Sequence, residues 1–303
     1  METGSPVFAI AVPAAVVGAA SFGMASVVQQ RATKQVPQLS AINPRLLFVL
    51  VKRPAWVLSV VTVVGGLSLQ IVALAFGPLL LVQPLLLTSL LFAAVFSAWL
   101  SRQPADRILL TGVVCCAAGL SLFLGFARPG GAKDFTIGRE GVGLVLLLGG
   151  IVLVCLFAAF RLSGEIRALA LALATGVLYG ITAAMMKAVA GQIRFGGIAE
   201  PFQHWPLYVV CLIGPAGFLL SQNAFQGGAF LSPALSIVTV TDPLVSVAAG
   251  VTWFGEHVAT TPGALAGEVL GALVLVMGVV VLARRSERLR REEEQTGRRT
   301  TGG

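Results

Sequence analysis

The sequence has few charged residues and little of the side-chain chemistry on which catalytic and metal sites rely. Of its 303 residues only 11% are charged, and it contains two histidines, His204 and His257. It has no HExxH zinc motif and no glycine-rich phosphate loop, so it predicts no enzyme and no bound cofactor. The longest polar stretches are too short for a soluble catalytic domain, being 29–54, 128–140, 191–205 and the tail after Leu282.

Cysteine is also scarce, and its positions exclude two further kinds of site. Cys115, Cys116, Cys155 and Cys211 all lie in apolar runs. We expect packed thiols, without a disulfide framework and without the spacing of metal ligands.

Apolar residues are abundant, at 56% of the chain with a mean hydropathy of +0.90. A membrane-spanning helix needs about 20 predominantly apolar residues. We therefore predict an all-α, polytopic transmembrane bundle of nine spans. Their ranges are 7–29, 55–76, 78–100, 108–127, 141–160, 168–190, 207–226, 229–253 and 262–283. The short apolar piece Leu46–Val51 is interpreted as an interfacial helix or, within residues 38–52, as a tenth span.

Basic residues are unevenly divided between the two sides of this predicted bundle. With nine spans and an outer N-terminus, sixteen lie on the cytoplasmic side and four outside, in agreement with the positive-inside rule. A tenth span would move only the N-terminus inside. We expect insertion in the plasma (inner) membrane, with a cytoplasmic, disordered tail at 284–303. The seven tail arginines predict contact with anionic lipid and no binding to nucleic acid.

The two halves of the chain match at an offset of 149 residues. Trp56 corresponds to Trp205, Ala75-Phe76 to Ala224-Phe225, and Pro84 to Pro233. Small changes of offset also pair Phe22-Gly23 with Tyr179-Gly180, Trp99 with Trp253, and Gly112/Gly119 with Gly271/Gly278. Chance matches arise in any apolar chain, but the rarer Trp and Pro residues favour repetition.

These matches predict two four-helix repeats, 1–127 and 168–283, joined by a linker, 128–167, that contains one span. That single crossing turns the second repeat upside down relative to the first. Inverted repeats are typical of secondary transporters, which bind solute near the midplane between them.

Several short motifs resemble one family of transporters. They are Ser21-Phe22-Gly23, Ala73-Leu-Ala-Phe-Gly-Pro78, Val82-Gln83-Pro84-Leu85, Gly176-Val-Leu-Tyr-Gly180, Met186-Lys187, Gln222-Asn223-Ala224-Phe225, Asp242-Pro243-Leu244 and Phe254-Gly255-Glu256. In order and spacing the chain resembles the drug/metabolite transporter superfamily, in its EamA-like and NIPA-like (magnesium permease-like) bacterial branch. The resemblance implies a helical transporter of two four-helix halves and leaves the substrate open.

Asp242 is the strongest candidate site residue, because an ionisable group deep in a span normally faces a cavity or a partner. Pro243 follows it, removes a backbone hydrogen bond and frees a carbonyl one turn back. The alternative is an aspartic acid hydrogen-bonded to nearby hydroxyls for packing.

Other polar residues within spans are open to two interpretations. Lys187 either acts in transport or snorkels to the headgroups. Glu268, between Gly267 and Gly271, favours a packed interface. Glu256 and His257 fall at an outer helix end, where we expect solvated side chains. Solute path and interhelical hydrogen bonding are equally open for Gln83, Gln222, Asn223 and Tyr179. Pro84 and Pro233 predict matched kinks.

Three functions follow from this sequence. The leading hypothesis is a secondary transporter for a small polar or amphipathic solute, with Asp242 as its titrating or substrate-contacting group. The second is a Mg²⁺ or other divalent-cation permease, although a magnesium site favours more carboxylates than Asp242 and Glu268 provide. The third is a non-transporting membrane scaffold whose basic tail holds a partner. A homodimer is compatible with all three.

Overall fold

The computed structural model describes residues 6–33, 54–100, 107–127, 135, 138–225, 233–257 and 261–301. Ten α-helices cover most of these residues: α1 Pro6–Thr33, α2 Pro54–Phe76, α3 Leu79–Leu87, α4 Ser89–Leu100, α5 Arg107–Ala127, α6 Arg139–Arg161, α7 Gly164–Gly196, α8 Trp205–Phe225, α9 Pro233–Phe254 and α10 Pro262–Thr301. A 3₁₀-helix, Glu200–Gln203, precedes α8. The all-α prediction is confirmed for this part of the chain, and each predicted span coincides with a helix or a helix pair.

Seven helical segments are long and apolar enough to cross a membrane. They are Ala9–Gln29, Pro54–Phe76, Leu79–Leu100, Arg107–Ala127, Gly141–Arg161, Ile166–Gly196 and Pro262–Leu282. The other two predicted spans correspond to the shorter apolar helices Trp205–Ser221 and Val240–Phe254. The chain is a helical membrane protein, and the total of nine spans stays a prediction. Leu46–Val51 lies outside the described residues.

Three differences from the predicted boundaries have local causes. The span 78–100 is interrupted at Thr88, whose N–H and hydroxyl both donate to Leu85 O, one turn after Pro84. The helix α7 runs to Gly196, where Gly197 at φ 87 ends it. The helix α10 continues to Thr301 through the tail for which we expect disorder. Closely spaced Glu and Arg residues explain that continuation, because such pairs support an exposed helix.

The helices α1 and α7, which begin the two predicted repeats, each pack against the two spans that follow them. In the first half α1 contacts α2, α3 and α4, and in the second half α7 contacts α8 and α9. Glycines permit the closest approaches. A Cβ on Gly23 would lie 2.7 Å from Ser89 O, and one on Gly180 would lie 2.8 Å from Asp242 O. These two glycines are partners in the predicted repeat, and each meets the third predicted span of its own repeat.

The last helices of the two predicted repeats, α5 and α10, form the most extensive helix pair of the described bundle. Gly119 faces Gly271, and Gly112 faces Gly278. Added Cβ atoms on Gly119 and Gly278 would lie 2.8 Å from Gly271 O and 2.9 Å from Gly112 O. The two glycine pairs matched in the sequence thus contact each other reciprocally, as a two-fold relation requires. The inverted repeat itself stays a prediction.

Candidate functional site

Asp242 lies in the middle of α9, beside α7, in a mainly neutral setting. The hydroxyl of Ser246, one turn along α9, lies 3.4 Å from Asp242 Oδ1. The same hydroxyl lies 3.4 Å from Gly180 O, so both contacts are long for hydrogen bonds. The side chain is half-buried and has no ion pair in the described structure. Asp242 is therefore a weakly partnered carboxyl group inside an apolar helix of the bundle.

Pro243 is inside α9, as the sequence predicts. Because proline has no N–H, the carbonyl of residue 239 lacks its helical hydrogen bond. One turn of helix thus carries both a carboxyl group and a freed carbonyl oxygen.

Tyr179 links α7 to α8 at the same level of the bundle. Its hydroxyl donates to Ser221 Oγ at 3.1 Å, and Ser221 in turn donates to Phe218 O. The next residue, Gly180, packs against the backbone of Asp242, so Tyr179 and Asp242 belong to neighbouring turns of α7 and α9. Asp242, Ser246, Tyr179 and Ser221 form a polar group, which we name the central cluster.

Gln83 and Pro84 lie on α3 between the two halves. Both are buried, and Gln83 Nε2 has no hydrogen-bond partner within the described part of the chain. Leu79, at the start of α3, lies against Gly250 near the end of α9, and the two helices pack against each other. One helical turn deeper, Gln83 is therefore level with Ser246. The Gln83 Nε2 group, which lacks a described hydrogen-bond partner, is therefore at the level of the central cluster.

The remaining candidates lie apart from this cluster or outside the description. Asn223 donates to Leu219 O of its own helix at 2.7 Å, which accounts for its amide locally. Glu268 is on α10, which packs chiefly against α5. The side chains of Gln222 and Pro233 are outside the described structure, and Pro233 is the first described residue of α9. The matched kink at Pro233 stays a prediction.

Lys187 and Glu256 form a buried ion pair, which the sequence does not predict. Lys187 Nζ lies 3.3 Å from Glu256 Oε1 and donates to Gly77 O at 2.9 Å. Lys187 is only 8% exposed and Glu256 only 2%. Snorkelling of Lys187 and solvation of Glu256 are therefore both wrong, because each side chain turns into the bundle.

The Glu256 carboxylate also caps α3. Its two oxygens accept the N–H groups of Leu79 and Leu80, at 2.8 and 2.9 Å. Carboxylates stabilise helix N-termini, where backbone N–H groups are free and the dipole is positive. Gly250 leaves room for the carboxylate, because a Cβ there would lie 2.9 Å from Oε2.

The chain turns sharply between the end of α2 at Phe76 and the start of α3 at Leu79, and we call this turn the α2–α3 corner. Cations from α7 contact the α2 side of this corner. Arg194 donates to Ala75 O at 2.7 Å, and its guanidinium stacks over Phe76 at 4.7 Å. Lys187 lies 5.6 Å from the ring centroid of Phe254. The C-terminus of α2 thus receives cations and the N-terminus of α3 an anion, each at the helix end that favours it.

A glycine turn is the local signal that could have revealed Glu256. Gly255 has φ 57, and the next residue, Glu256, donates its N–H to Gly250 O. Such a turn reverses the chain at a helix end. It directs Glu256 back to the bundle instead of outward to solvent.

An apolar groove of about 660 Å³ lies beside the central cluster. Residues of α6, α7 and α9 line it, including Cys155, Leu173 and Thr241. Thr241 is adjacent to Asp242 in the chain. Over the described residues, no group of three or more His, Cys, Asp or Glu side chains is arranged to hold a metal ion.

Comparisons with known proteins agree with a membrane transporter. Neither a family model nor a solved structure matches the chain. An uncharacterised protein of Corynebacterium glutamicum is 29% identical over 282 residues, which cover 91% of this chain and 96% of that protein. The probable magnesium transporter NIPA7 of Arabidopsis thaliana is 23% identical over 260 residues, covering 81% and 77% respectively.

The magnesium transporter NIPA4 of Mus musculus is 25% identical over 251 residues, which are 76% of this chain and 60% of the mouse protein. The chain is thus distantly similar to named magnesium transporters over most of its length. Together with the apolar helices, this similarity supports a membrane transporter.

Proposed function

We propose that this protein transports a small cation across the membrane, with Mg²⁺ as the first candidate, and that Asp242 contacts the cation. The observation that carries the proposal is the charge balance of the bundle interior. Away from helix ends, the seven described spans and the two shorter apolar helices carry three charged residues, Lys187, Asp242 and Glu268. Lys187 is neutralised by Glu256, and Glu268 is on the α5–α10 pair. Asp242 therefore supplies the acidic group of the central region, and its ionised form would attract cations.

The ligands around Asp242 suit a cation that keeps part of its water. Mg²⁺ is reluctant to lose water and is often bound through one or two carboxylates. The carbonyl freed by Pro243 and the hydroxyls of Ser246 and Tyr179 are oxygen groups near Asp242. One carboxylate is therefore compatible with a hydrated ion in transit. The two relatives named as magnesium transporters support the same substrate.

Alternating access between the two halves is the mechanism that we propose. The matched packing around α1 and α7, and the reciprocal glycine contacts of α5 with α10, agree with two repeats of opposite orientation. Rocking of such repeats exposes a midplane site to one side at a time. The central cluster, together with Gln83, is the group of residues that we propose for that site.

A second candidate substrate is an amphipathic solute that enters from the lipid. The apolar groove favours this substrate, because the groove is open beside α6. One of its lining residues, Thr241, is the chain neighbour of Asp242. Asp242 would then exchange a proton during each cycle.

The test is transport by purified protein in liposomes containing a Mg²⁺-sensitive dye. We expect Mg²⁺ influx into liposomes with the native protein, and at least a tenfold lower rate with Asp242→Asn. A tenfold change corresponds to about 1.4 kcal/mol, which is modest for the loss of a charged ligand.

Glu268→Gln is the matched control, because it removes a span carboxyl group that lies on the α5–α10 pair. It should transport at close to the native rate, and both variants should elute as folded protein. Mg²⁺ flux that Asp242→Asn leaves unchanged would remove Asp242 from the site. Flux of an amphipathic cation without Mg²⁺ flux would instead favour the second candidate.

A further inference from the structure

We infer that Lys187 and Glu256, closed over the α2–α3 corner, are a latch between the two halves that controls access to the central cluster from that end of the bundle. We call this group, with Gly77, Leu79 and Leu80, the corner latch. The inference rests on the proposed transport, because a latch of this kind has a role only if the halves move apart.

The corner latch joins the two halves through bonds that cross between them. Gly77, Leu79 and Leu80 belong to the first half, whereas Lys187 and Glu256 belong to the second. One carboxylate and one ammonium hold both free ends of an interrupted helix pair. Three charge-assisted hydrogen bonds and an ion pair would have to be released before the halves separate here.

The charged groups of the corner latch are buried, and each one has a hydrogen-bond or ion-pair partner. Each Glu256 oxygen accepts one backbone N–H. The Lys187 ammonium contacts the Glu256 carboxylate and the carbonyl oxygen of Gly77. Breaking a buried pair is costly when one charge is left without compensation. The latch therefore holds this end closed unless the whole group separates at once.

Packing between the halves is uneven in a way that agrees with closure at this end. The helix α2 packs against α7, where Arg194 and Lys187 meet the corner. The repeat-matched pair, α1 and α8, has no comparable packing among the described residues. If both ends of the bundle were closed, the α2–α7 and α1–α8 contacts would be equal by the two-fold relation. They are unequal, so we infer that the end of the bundle at the α2–α3 corner, which we call the corner end, is the closed one.

A purely structural bond is the alternative, and accessibility separates it from a latch. Ser246 is fully buried and lies about 12 Å along α9 from the helix end at Phe254. Ser246→Cys nearly preserves side-chain size, so it reports solvent access to the central cluster. We replace the four native cysteines with alanine and measure the reaction of this thiol with a charged, membrane-impermeant reagent added at the corner end.

The expected result is slow labelling with the native pair and labelling at least tenfold faster with Glu256→Gln. Lys187→Met is the second variant, because it keeps side-chain length without the charge. Glu200→Gln is the matched control, since it breaks the exposed Glu200–His204 pair at the same end without linking the halves. The control should label as slowly as the native protein.

Equal labelling rates in the native protein, Glu256→Gln and Lys187→Met, all folded by size-exclusion chromatography, would overturn the latch. Faster labelling in the control as well would also overturn it, because the effect would then be general loosening. Asp242→Asn keeps the two proposals separate. If that variant transports Mg²⁺ normally while latch variants label fast, the site assignment fails and the latch stands. If Asp242→Asn abolishes transport while the latch variants label as slowly as the native protein, the site assignment stands and the latch fails.

Discussion

At the scale of residues, the backbone fixes which sign of charge each position of the corner latch must carry. Glu256 faces two N–H groups, and Lys187 faces the carbonyl of Gly77. An isolated ion pair can be reversed, because only the attraction between its members matters. A pair built onto helix ends cannot, because each member also serves a backbone group of one polarity.

We therefore predict that Lys187→Glu combined with Glu256→Lys fails to restore stability. The reversed pair should be about 3–5 kcal/mol less stable than the native protein in denaturation, which is the cost of breaking a buried pair. The neutral double variant, Lys187→Met with Glu256→Gln, is the control and should lose less, because the amide oxygen that it introduces still accepts one N–H. Native-like stability of the reversed pair would mean that the helix ends contribute nothing to the latch.

At the scale of elements, the α5–α10 interface depends on glycines at particular positions rather than on glycine in general. A Cβ on Gly119 would lie 2.3 Å from Leu275 N, whereas Gly125 on the same helix has open space around it. The first contact is impossible for real atoms, so the helices would have to separate. The second position faces away from the protein.

Gly119→Ala should accordingly lower the unfolding free energy in detergent by about 1–3 kcal/mol, the usual cost of overpacking. Gly125→Ala should be neutral or slightly stabilising, because alanine favours helix over glycine by about 0.5–1 kcal/mol. Thermal denaturation of both variants, followed by circular dichroism, makes the comparison. Equal losses would indicate that the two helices do not pack as described.

At the scale of the whole molecule, several helix ends meet at the corner end, namely those of α2, α7 and α9 together with the start of α3. The positive-inside count predicts that this end is outside and that 161–167 is inside. The contacts agree that these helix ends lie together, and the side of the membrane stays a prediction.

Labelling of single cysteines in cells tests that orientation. Ile198→Cys, at a residue 81% exposed near the corner end, should react with an impermeant reagent from outside. Lys133→Cys, in the 128–140 loop, should behave in the same way. Ser163→Cys, between α6 and α7, should react only after the membrane is opened. Reaction of Lys133→Cys from the cytoplasmic side alone would overturn the inverted-repeat hypothesis.

Much of the fold could be predicted from the sequence because hydropathy and helix ends are local properties. The nine apolar runs coincide with helices to within a few residues at most boundaries. Asp242 and Pro243 also lie where the sequence predicts, in the middle of one helix. The Tyr179–Ser221 hydrogen bond could not be predicted, because it joins side chains on different helices.

The sequence by itself determined that this is an apolar helical bundle with a carboxylate inside it. Only the tertiary structure decided the role of Glu256, since its partners Leu79 and Leu80 are 177 and 176 residues away in the chain. Hydropathy assigns Glu256 to a surface because it follows the end of an apolar run. Whether a charge at a helix end faces water or another helix depends on which helix ends meet, and that is fixed by long-range packing.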